Sequence, residues 1–315
     1  MKKINNKVLI LVLVVLVGVF IASRLFRSPG LESTIRKDLV SLDSATITEI
    51  RISPANQQDQ LIKLMKSGKT WTVEQKGKKY NVDIYALKDI LQTLCSIKPE
   101  RMVSRKKEKW QTFQVGETGT YVSMYEDGDL KTSMVVGKSG FNQSNNSQYG
   151  GNGYTYVRLS DEEEVYSVSG FLSSSVNRSL TDLRDKSFLR VPKDLIQGVS
   201  FKYPSDSGYV LQKQDTLWQI QGASADRSKV ESYLSQFANK KLTKFADEFN
   251  APLQADAIID IVGSGGTLCT IEGWKTGTTW TLRSSLQPGI FFSSEGSTII
   301  KELLVGKRHF LPSLP

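Results

Sequence analysis

The feature that most constrains the fold of this chain is an internal repeat. Two stretches follow one plan, in which strand-like runs lead to a tryptophan and then to a helix that opens at an aspartate. Trp71 and Asp83 mark the first stretch, and Trp218 and Asp226 mark the second. The offsets are similar, 218 − 71 = 147 residues for the tryptophans and 226 − 83 = 143 residues for the aspartates. Self-similarity at a long period indicates one structural unit used twice.

Each repeat combines strand and helix signals. Short runs rich in β-branched and aromatic residues, separated by turn residues, predict strands in both halves. Residues 83–96 and 224–237 predict amphipathic helices, because their apolar residues recur at helical spacing. The sequence therefore predicts an α+β fold, with an N-terminal transmembrane helix followed by two similar repeats of mostly antiparallel strands with packed helices. We place these repeats at residues 44–189 and 190–315.

The N-terminus predicts a membrane anchor. Lysines at positions 2, 3 and 7 precede fifteen consecutive apolar residues. With the following serine tolerated, this run extends to roughly 18–20 residues, which suffices for a transmembrane helix. The predicted membrane-spanning residues are Val8, Leu9, Ile10, Leu11, Val12, Leu13, Val14, Val15, Leu16, Val17, Gly18, Val19, Phe20, Ile21 and Ala22.

The anchor signal favours an uncleaved segment over a signal peptide. Cleavage after Ala22 or Ser23 would place Phe20 or Ile21 at position −3, where a small residue is preferred. The lysines before the segment favour an inside N-terminus. We therefore expect a single-pass protein, with residues 1–27 forming the cytoplasmic tip and anchor and residues 28–43 a juxtamembrane linker.

The sequence offers no catalytic, cofactor-binding or metal-binding constellation. His309 is the single histidine, so a Ser–His–Asp or Cys–His site would have to use it. Its place beside a closing phenylalanine favours a packing or surface role. Cys95 and Cys269 make neither a zinc site nor a disulfide framework, although a single bridge between them stays an alternative. We therefore expect a protein without enzymatic activity, without a cofactor and without a bound metal.

A basic segment is the strongest candidate for an interaction surface. The chain has a formal net charge of +9, and five cations within residues 101–110 face a single carboxylate, Glu108. These cations are Arg101, Arg105, Lys106, Lys107 and Lys109. They suit anionic lipid head groups or an acidic partner. The alternative is a sheet edge where lysines prevent pairing with another sheet. Nucleic acid is not an expected partner, because stacking aromatics are not interleaved with these cations.

The order of the motifs resembles a known family. Residues 68–73 (GKTWTV) and 216–220 (TLWQI) each precede an Asp-led helix, and residues 135–138 (VVGK) and 183–186 (LRDK) follow the first of these helices. This order is similar to that of the bacterial family called domain of unknown function 4340, over most of the chain after the anchor. The resemblance implies an auxiliary component of an ABC transporter, including gliding-motility-type systems, and it supplies no catalytic residues.

These signals together favour a non-enzymatic, membrane-anchored extracytoplasmic protein. We expect an auxiliary or scaffold subunit of an ABC-type transport system in the bacterial inner membrane, with its bulk in the periplasm or exterior. The expected partners are the lipid bilayer, through the N-terminal helix, and ABC transporter permease subunits. The alternative is an envelope ligand-binding module for glycan or peptide, with the polar residues 139–153 as a lid. A hydrolase that works without histidine is a third alternative.

Overall fold

The computed structural model describes residues 36–55, 57, 59–141, 153–203 and 208–312. The chain divides into two compact units, Met1–Leu180 and Thr181–Pro315. The predicted membrane-spanning residues, 8–22, lie outside the described residues. Among the helices that are described, none has both the length and the apolar character needed to cross a membrane.

The fold class is mostly β, so the predicted α+β class is wrong. Strands account for 45% of the described residues and helices for 18%. Frequent turn residues divide the chain into antiparallel hairpins, and their strands bury alternate side chains, as Glu49–Ser53 does. Only Ile84–Leu94 and Arg227–Ser235 among the described helices exceed five residues. The prediction gave these two helices too much weight, because each short strand carries a weaker sequence pattern than a helix of nine or eleven residues.

The first unit contains one nine-stranded antiparallel sheet and a separate pair of short strands. The strands are β1 (Val40–Ser41), β2 (Glu49–Ser53), β3 (Ile62–Ser67), β4 (Thr70–Gln75), β5 (Lys78–Asn81), β6 (Ser96–Ile97), β7 (Pro99–Ser104), β8 (Thr120–Glu126), β9 (Asp129–Phe141), β10 (Gly153–Leu159) and β11 (Val165–Ser169). The sheet order is β5-β4-β3-β2-β8-β9-β10-β11-β7, and β1 pairs with β6. The helices are α1 (Ile84–Leu94), α2 (Trp110–Phe113), α3 (Leu172–Val176) and α4 (Leu180–Leu183), which crosses the unit boundary.

The second unit contains an eight-stranded antiparallel sheet and another short pair. Its strands are β12 (Ser187–Leu189), β13 (Ile196–Lys202), β14 (Tyr209–Gln214), β15 (Leu217–Ile220), β16 (Ala223–Ser224), β17 (Lys240–Lys241), β18 (Ala257–Gly263), β19 (Gly266–Thr276), β20 (Thr279–Ser284) and β21 (Phe291–Ser293). The order is β16-β15-β14-β13-β18-β19-β20-β21, and β12 pairs with β17. The helices are α5 (Arg227–Ser235) and α6 (Ile299–Leu303).

The two sheets share a strand order. The run from β5 to β11 in the first sheet corresponds, strand for strand, to the run from β16 to β21 in the second. The registers also agree, because Trp71 lies opposite Lys66 and Trp218 lies opposite Lys213. The first sheet adds β7 beyond β11, whereas the second has only an isolated bridge at Phe245 in that place. The edge strand β7 is therefore a specific addition of the first unit.

The boundary between the units lies earlier than the predicted one at residues 189 and 190. β12 pairs with β17 after α5, just as β1 pairs with β6 after α1. Residues 187–189 therefore open the second unit instead of closing the first.

Helix burial agrees with the sequence pattern. The helices predicted at 83–96 and 224–237 are confirmed in shorter form as α1 and α5. α1 buries Leu87, Ile90 and Leu94, and α5 buries Val230 and Leu234. Each such side chain contributes roughly 1.5–3 kcal/mol when it is fully removed from water. The apolar stripes therefore fix which face of each helix contacts the protein interior.

The two cysteines are buried and unbonded, Cys95 in the first unit and Cys269 in the second. The polar segment predicted as a lid, residues 139–153, lies largely outside the described residues. Its two ends are described, and they continue the β9–β10 hairpin, in which Ser139 lies opposite Thr155.

Candidate functional site

The predicted basic segment lies at one edge of the nine-stranded sheet. Arg101 belongs to β7, Arg105 and Lys106 follow that strand, and Lys107 and Lys109 lie in a 3₁₀ turn over Lys107–Lys109. All five side chains are exposed, and we call them the basic edge. Because β7 is the terminal strand of its sheet, the five charges lie beside backbone groups that another strand could pair with.

The cations of the basic edge are not neutralised within the described parts of the chain, where no ion pair involves any of them. Arg105 donates from Nε to the Sδ atom of Met102 at 3.0 Å. The Lys107 ammonium lies 5.3 Å from the centre of the Trp110 ring. These weak contacts orient two side chains and leave their charges in place, so the surface attracts anions.

Trp110 holds the turn of the basic edge against the sheet. Its indole nitrogen donates to the backbone oxygen of Glu163 at 3.1 Å. On its ring face, the guanidinium carbon of Arg158 lies 3.8 Å from the ring centre. A desolvated cation over a tryptophan face is a stabilising arrangement, worth about 2 kcal/mol. The turn is therefore fixed by two directional contacts.

Arg158 is a buried cation that the backbone satisfies. Its side chain is only 4% exposed, and it forms no ion pair within the described ranges. Nε donates to the oxygen of Val115 at 3.0 Å, and Nη1 donates to the oxygens of Leu159, Ser160 and Glu162 at 3.0–3.1 Å. Burial lowers the pKa of Arg158 from its ordinary value. These bonds tie residue 115, in the segment between α2 and β8, to the turn between β10 and β11.

A small apolar cluster lies beneath the basic edge. Its buried members are Val115, Val135, Tyr156 and Val165, and its partly buried members are Val103, Trp110, Phe113, Tyr121 and Tyr154. Thr155 accepts from the backbone nitrogen of Leu172 in α3, so the neighbouring Tyr156 points to the opposite face of the sheet. The first sheet thus has packed side chains on both faces. The face that carries Tyr156 and the small apolar cluster is the one that supports the basic edge.

The acidic run at residues 161–164 lies in the turn between β10 and β11. Glu162 pairs with Arg36 at 2.6 Å. The backbone oxygens of Glu162 and Glu163 accept the bonds from Arg158 and Trp110. Over the described residues, no group of three or more His, Cys, Asp or Glu side chains is placed to hold a metal ion.

His309 lies at the surface near aromatic rings. Its ring meets Phe310 edge to face, with 5.0 Å between centres, and lies 6.3 Å from Tyr233. This exposed position beside aromatic rings agrees with the packing or surface role that the sequence predicts.

Sequence reasoning missed three features near candidate sites. Trp110 and Arg158 are separated by 158 − 110 = 48 residues, and no short motif joins them. The third feature is a cleft of about 620 Å³ in the second unit, where four of the nine lining residues are glutamines from β14, β15 and the turn after β15. Both the contact between Trp110 and Arg158 and the cleft form only when strands pair. A motif search along the sequence therefore cannot find them.

The architecture defines a protein of two antiparallel β units that share one strand order. A family model described as Domain of unknown function (DUF4340) matches residues 71–257. The match begins in β4 of the first unit and reaches the start of β18 in the second, which is more than half of the 315 residues. The chain therefore belongs to this family, and the recognition from motif order is confirmed. No curated protein and no solved structure matches it.

Proposed function

We propose that this chain is a non-enzymatic, membrane-associated extracytoplasmic subunit that docks on an ABC-type transporter through its basic edge. The observation that carries the proposal is the rigid presentation of five exposed cations on one sheet edge. Arg158 and Trp110 hold that edge by a stacked contact and by hydrogen bonds to the backbone. A surface fixed in this way loses little conformational entropy when a partner binds.

The chemistry of the edge favours an acidic, extended segment of a permease subunit as the occupant. An edge strand can pair with an added strand through backbone hydrogen bonds. Cations beside that strand select segments of opposite charge, and they raise the rate of encounter at low salt. β7 and the basic edge place both kinds of group side by side.

The N-terminal sequence supports a location at the bacterial inner membrane. Residues 8–22 are apolar and follow three lysines, which is the pattern of a segment delivered to a membrane with its N-terminus inside. Under this proposal the two β units lie on the extracytoplasmic side, where they meet the outer face of the permease.

Site-specific crosslinking in cells tests the docking. Glu108 is exposed and lies among the cations, so a photoreactive amino acid at position 108 of the full chain reports on whatever binds there. We expect a crosslink to a permease subunit of an ABC transporter. The crosslink should disappear when Arg101, Arg105, Lys106 and Lys109 are all replaced by glutamine.

The opposite edge of the same sheet provides the control. Lys76, Lys78 and Lys79 are exposed at β5, and replacing all three by glutamine removes charge without touching β7. The permease crosslink should survive in this variant. A crosslink that survives neutralisation of the basic edge, or one that captures only phospholipid, contradicts the proposal.

A further inference from the structure

The second unit carries a cleft that has no part in the proposed docking. Its volume is about 620 Å³, which lies within the range of small-ligand sites. Gln212 and Gln214 line it from β14, and Gln219 and Gln221 line it from β15 and the turn after that strand. The remaining lining residues are Phe201, Gly208, Tyr209, Val210 and Gly222.

Strand register places the glutamines on one outer face of the sheet. Gln212 lies directly opposite Gln219, and the neighbouring pair is Leu211 and Ile220. Both members of the neighbouring pair are buried in the core of the unit. Because successive side chains point to opposite faces, the glutamines face away from that core. They therefore form a ladder of amides along the cleft.

Among the described residues, the side chains that line the cleft carry no charge, and four of them are amides. Each glutamine side chain offers two donors and an acceptor, and within the described residues these four amides form no side-chain hydrogen bond. Val210, which is 46% exposed, adds an apolar contact. A charged ligand would lose water here without meeting an opposite charge. A neutral ligand with many hydroxyl groups matches both the amides and the apolar contact.

The first unit shows that this face does not need glutamines in order to fold. Leu64 lies opposite Val73 there, as Leu211 lies opposite Ile220 in the second unit. On that register Lys63, Met65, Thr72 and Glu74 take the places of Val210, Gln212, Gln219 and Gln221. Lys63 lies opposite Glu74, so the first unit builds the same face with opposed charges. The uncharged amide ladder is thus a feature of the second unit alone.

We propose that the glutamine cleft of the second unit binds a neutral glycan chain. The amides of Gln212 and Gln219 bind sugar hydroxyls as donors and acceptors at once, and Val210 contacts the C–H face of a sugar ring. This site is separate from the basic edge. Glycan binding and docking on a transporter are therefore independent proposals, and either can be wrong without affecting the other.

Calorimetric titration of the detergent-solubilised full chain tests the proposal. The probes are chitohexaose, cellohexaose and maltohexaose, which share neutral sugar chemistry and differ in linkage and in N-acetylation. We expect at least one to bind with a single site, and the double variant Gln212→Ala/Gln219→Ala to bind at least tenfold more weakly. Both side chains point away from the core, so thermal unfolding of the variant should match that of the parent.

The first unit supplies the matched control, Met65→Ala/Thr72→Ala, which changes the equivalent pair of positions and should leave binding unchanged. A second variant, Gln212→Glu, keeps the size of the side chain and adds a charge, and it should also weaken binding. The proposal is overturned if none of the three probes binds, if the glutamine variants bind as the parent does, or if only a neutral extended peptide added as a fourth probe binds.

Discussion

Asp83 and Asp226 occupy the same capping position in the two units and share one backbone conformation. The dihedral angles are φ −67° and ψ 114° at Asp83 and φ −68° and ψ 114° at Asp226. The Asp83 carboxylate accepts from the backbone nitrogens of Tyr85 and Ala86 at 2.9 and 3.1 Å. The Asp226 carboxylate accepts from the nitrogen of Lys229 at 3.1 Å. Both aspartates satisfy first-turn donors that the helix itself leaves unpaired.

Removal of either cap should loosen its own helix. We expect Asp83→Ala to destabilise α1 by about 1 kcal/mol, and Asp226→Ala to destabilise α5 by a similar or smaller amount because fewer bonds are lost. Amide hydrogen exchange, read separately over α1 and α5, measures each effect. Asp83→Ser and Asp226→Ser are the controls, since serine also caps. Unchanged exchange in both alanine variants would show that tertiary packing alone sets helix stability.

Substitution of Arg158 should release the basic edge. Arg158→Met leaves buried carbonyls without a donor, and we expect a loss of about 2–3 kcal/mol in the free energy of unfolding of the first unit. Arg158→Lys should recover only part of it, because an ammonium cannot reproduce the planar fork of donors. Hydrogen exchange over residues 107–115 should rise in both variants, more so in the methionine variant.

A matched arginine in the second unit provides the comparison. Arg283 also lies near an aromatic ring, 5.3 Å from the centre of Trp274, but it pairs with Glu272 and both side chains are partly exposed. Arg283→Met should therefore cost about 1 kcal/mol or less. If the Arg158 and Arg283 variants lose the same stability, the structural role assigned to Arg158 is wrong.

The stability of the second unit should fall in strong alkali. Burial raises the pKa of Tyr203 to about 12, and burial also raises the pKa of Tyr209 and of Tyr233 well above the ordinary value of 10. Above pH 10 the unfolded chain releases these protons while the folded chain keeps them. The unfolded state then binds fewer protons, so the free energy of unfolding decreases as pH rises from 10 through the folded pKa values.

Denaturant unfolding at pH 9, 10 and 11 measures this slope. Tyr203 and Tyr209 both donate to the backbone oxygen of Val305, so Tyr209→Phe should lower stability at pH 9 by about 1 kcal/mol. The same variant should show a shallower decline between pH 10 and 11, because one titrating group is gone. Equal slopes in the parent and the variant would mean that Tyr209 already ionises in the folded state.

Local patterns predicted the elements that carry a strong period. Leu87, Ile90 and Leu94 recur at helical spacing and lie on the buried side of α1. Asp83 and Asp226 marked the helix starts because a side-chain cap is a local event. Contacts that depend on strand pairing have no local sequence pattern. The prediction of an α+β class was wrong because the two helices have clear local patterns, whereas the many short strands that dominate the fold do not.

The candidate sites were only partly visible in the sequence. The charges of the basic edge are close together in the sequence, so residues 101–109 could be identified from the sequence as a candidate surface. Arg158, which holds this edge, lies in β10. The sequence of β10 has the usual alternation of side chains in a strand, so nothing in it marks Arg158 as a contact residue. The glutamine cleft combines residues from two strands whose register decides that Gln212 meets Gln219. Glutamine has no diagnostic spacing, so only the paired structure brings these amides together.

The proposed extracytoplasmic location of the β units can be tested with an introduced cysteine. Both native cysteines are buried, so a membrane-impermeant maleimide should leave the parent protein unlabelled in intact cells. Thr216 is exposed in the turn between β14 and β15, and Thr216→Cys should react without permeabilisation of the inner membrane. Lys3→Cys, on the proposed cytoplasmic side, should react only after permeabilisation. Labelling of Thr216→Cys that requires lysis of the inner membrane would place the β units in the cytoplasm and remove the basis for docking on the outer face of a permease.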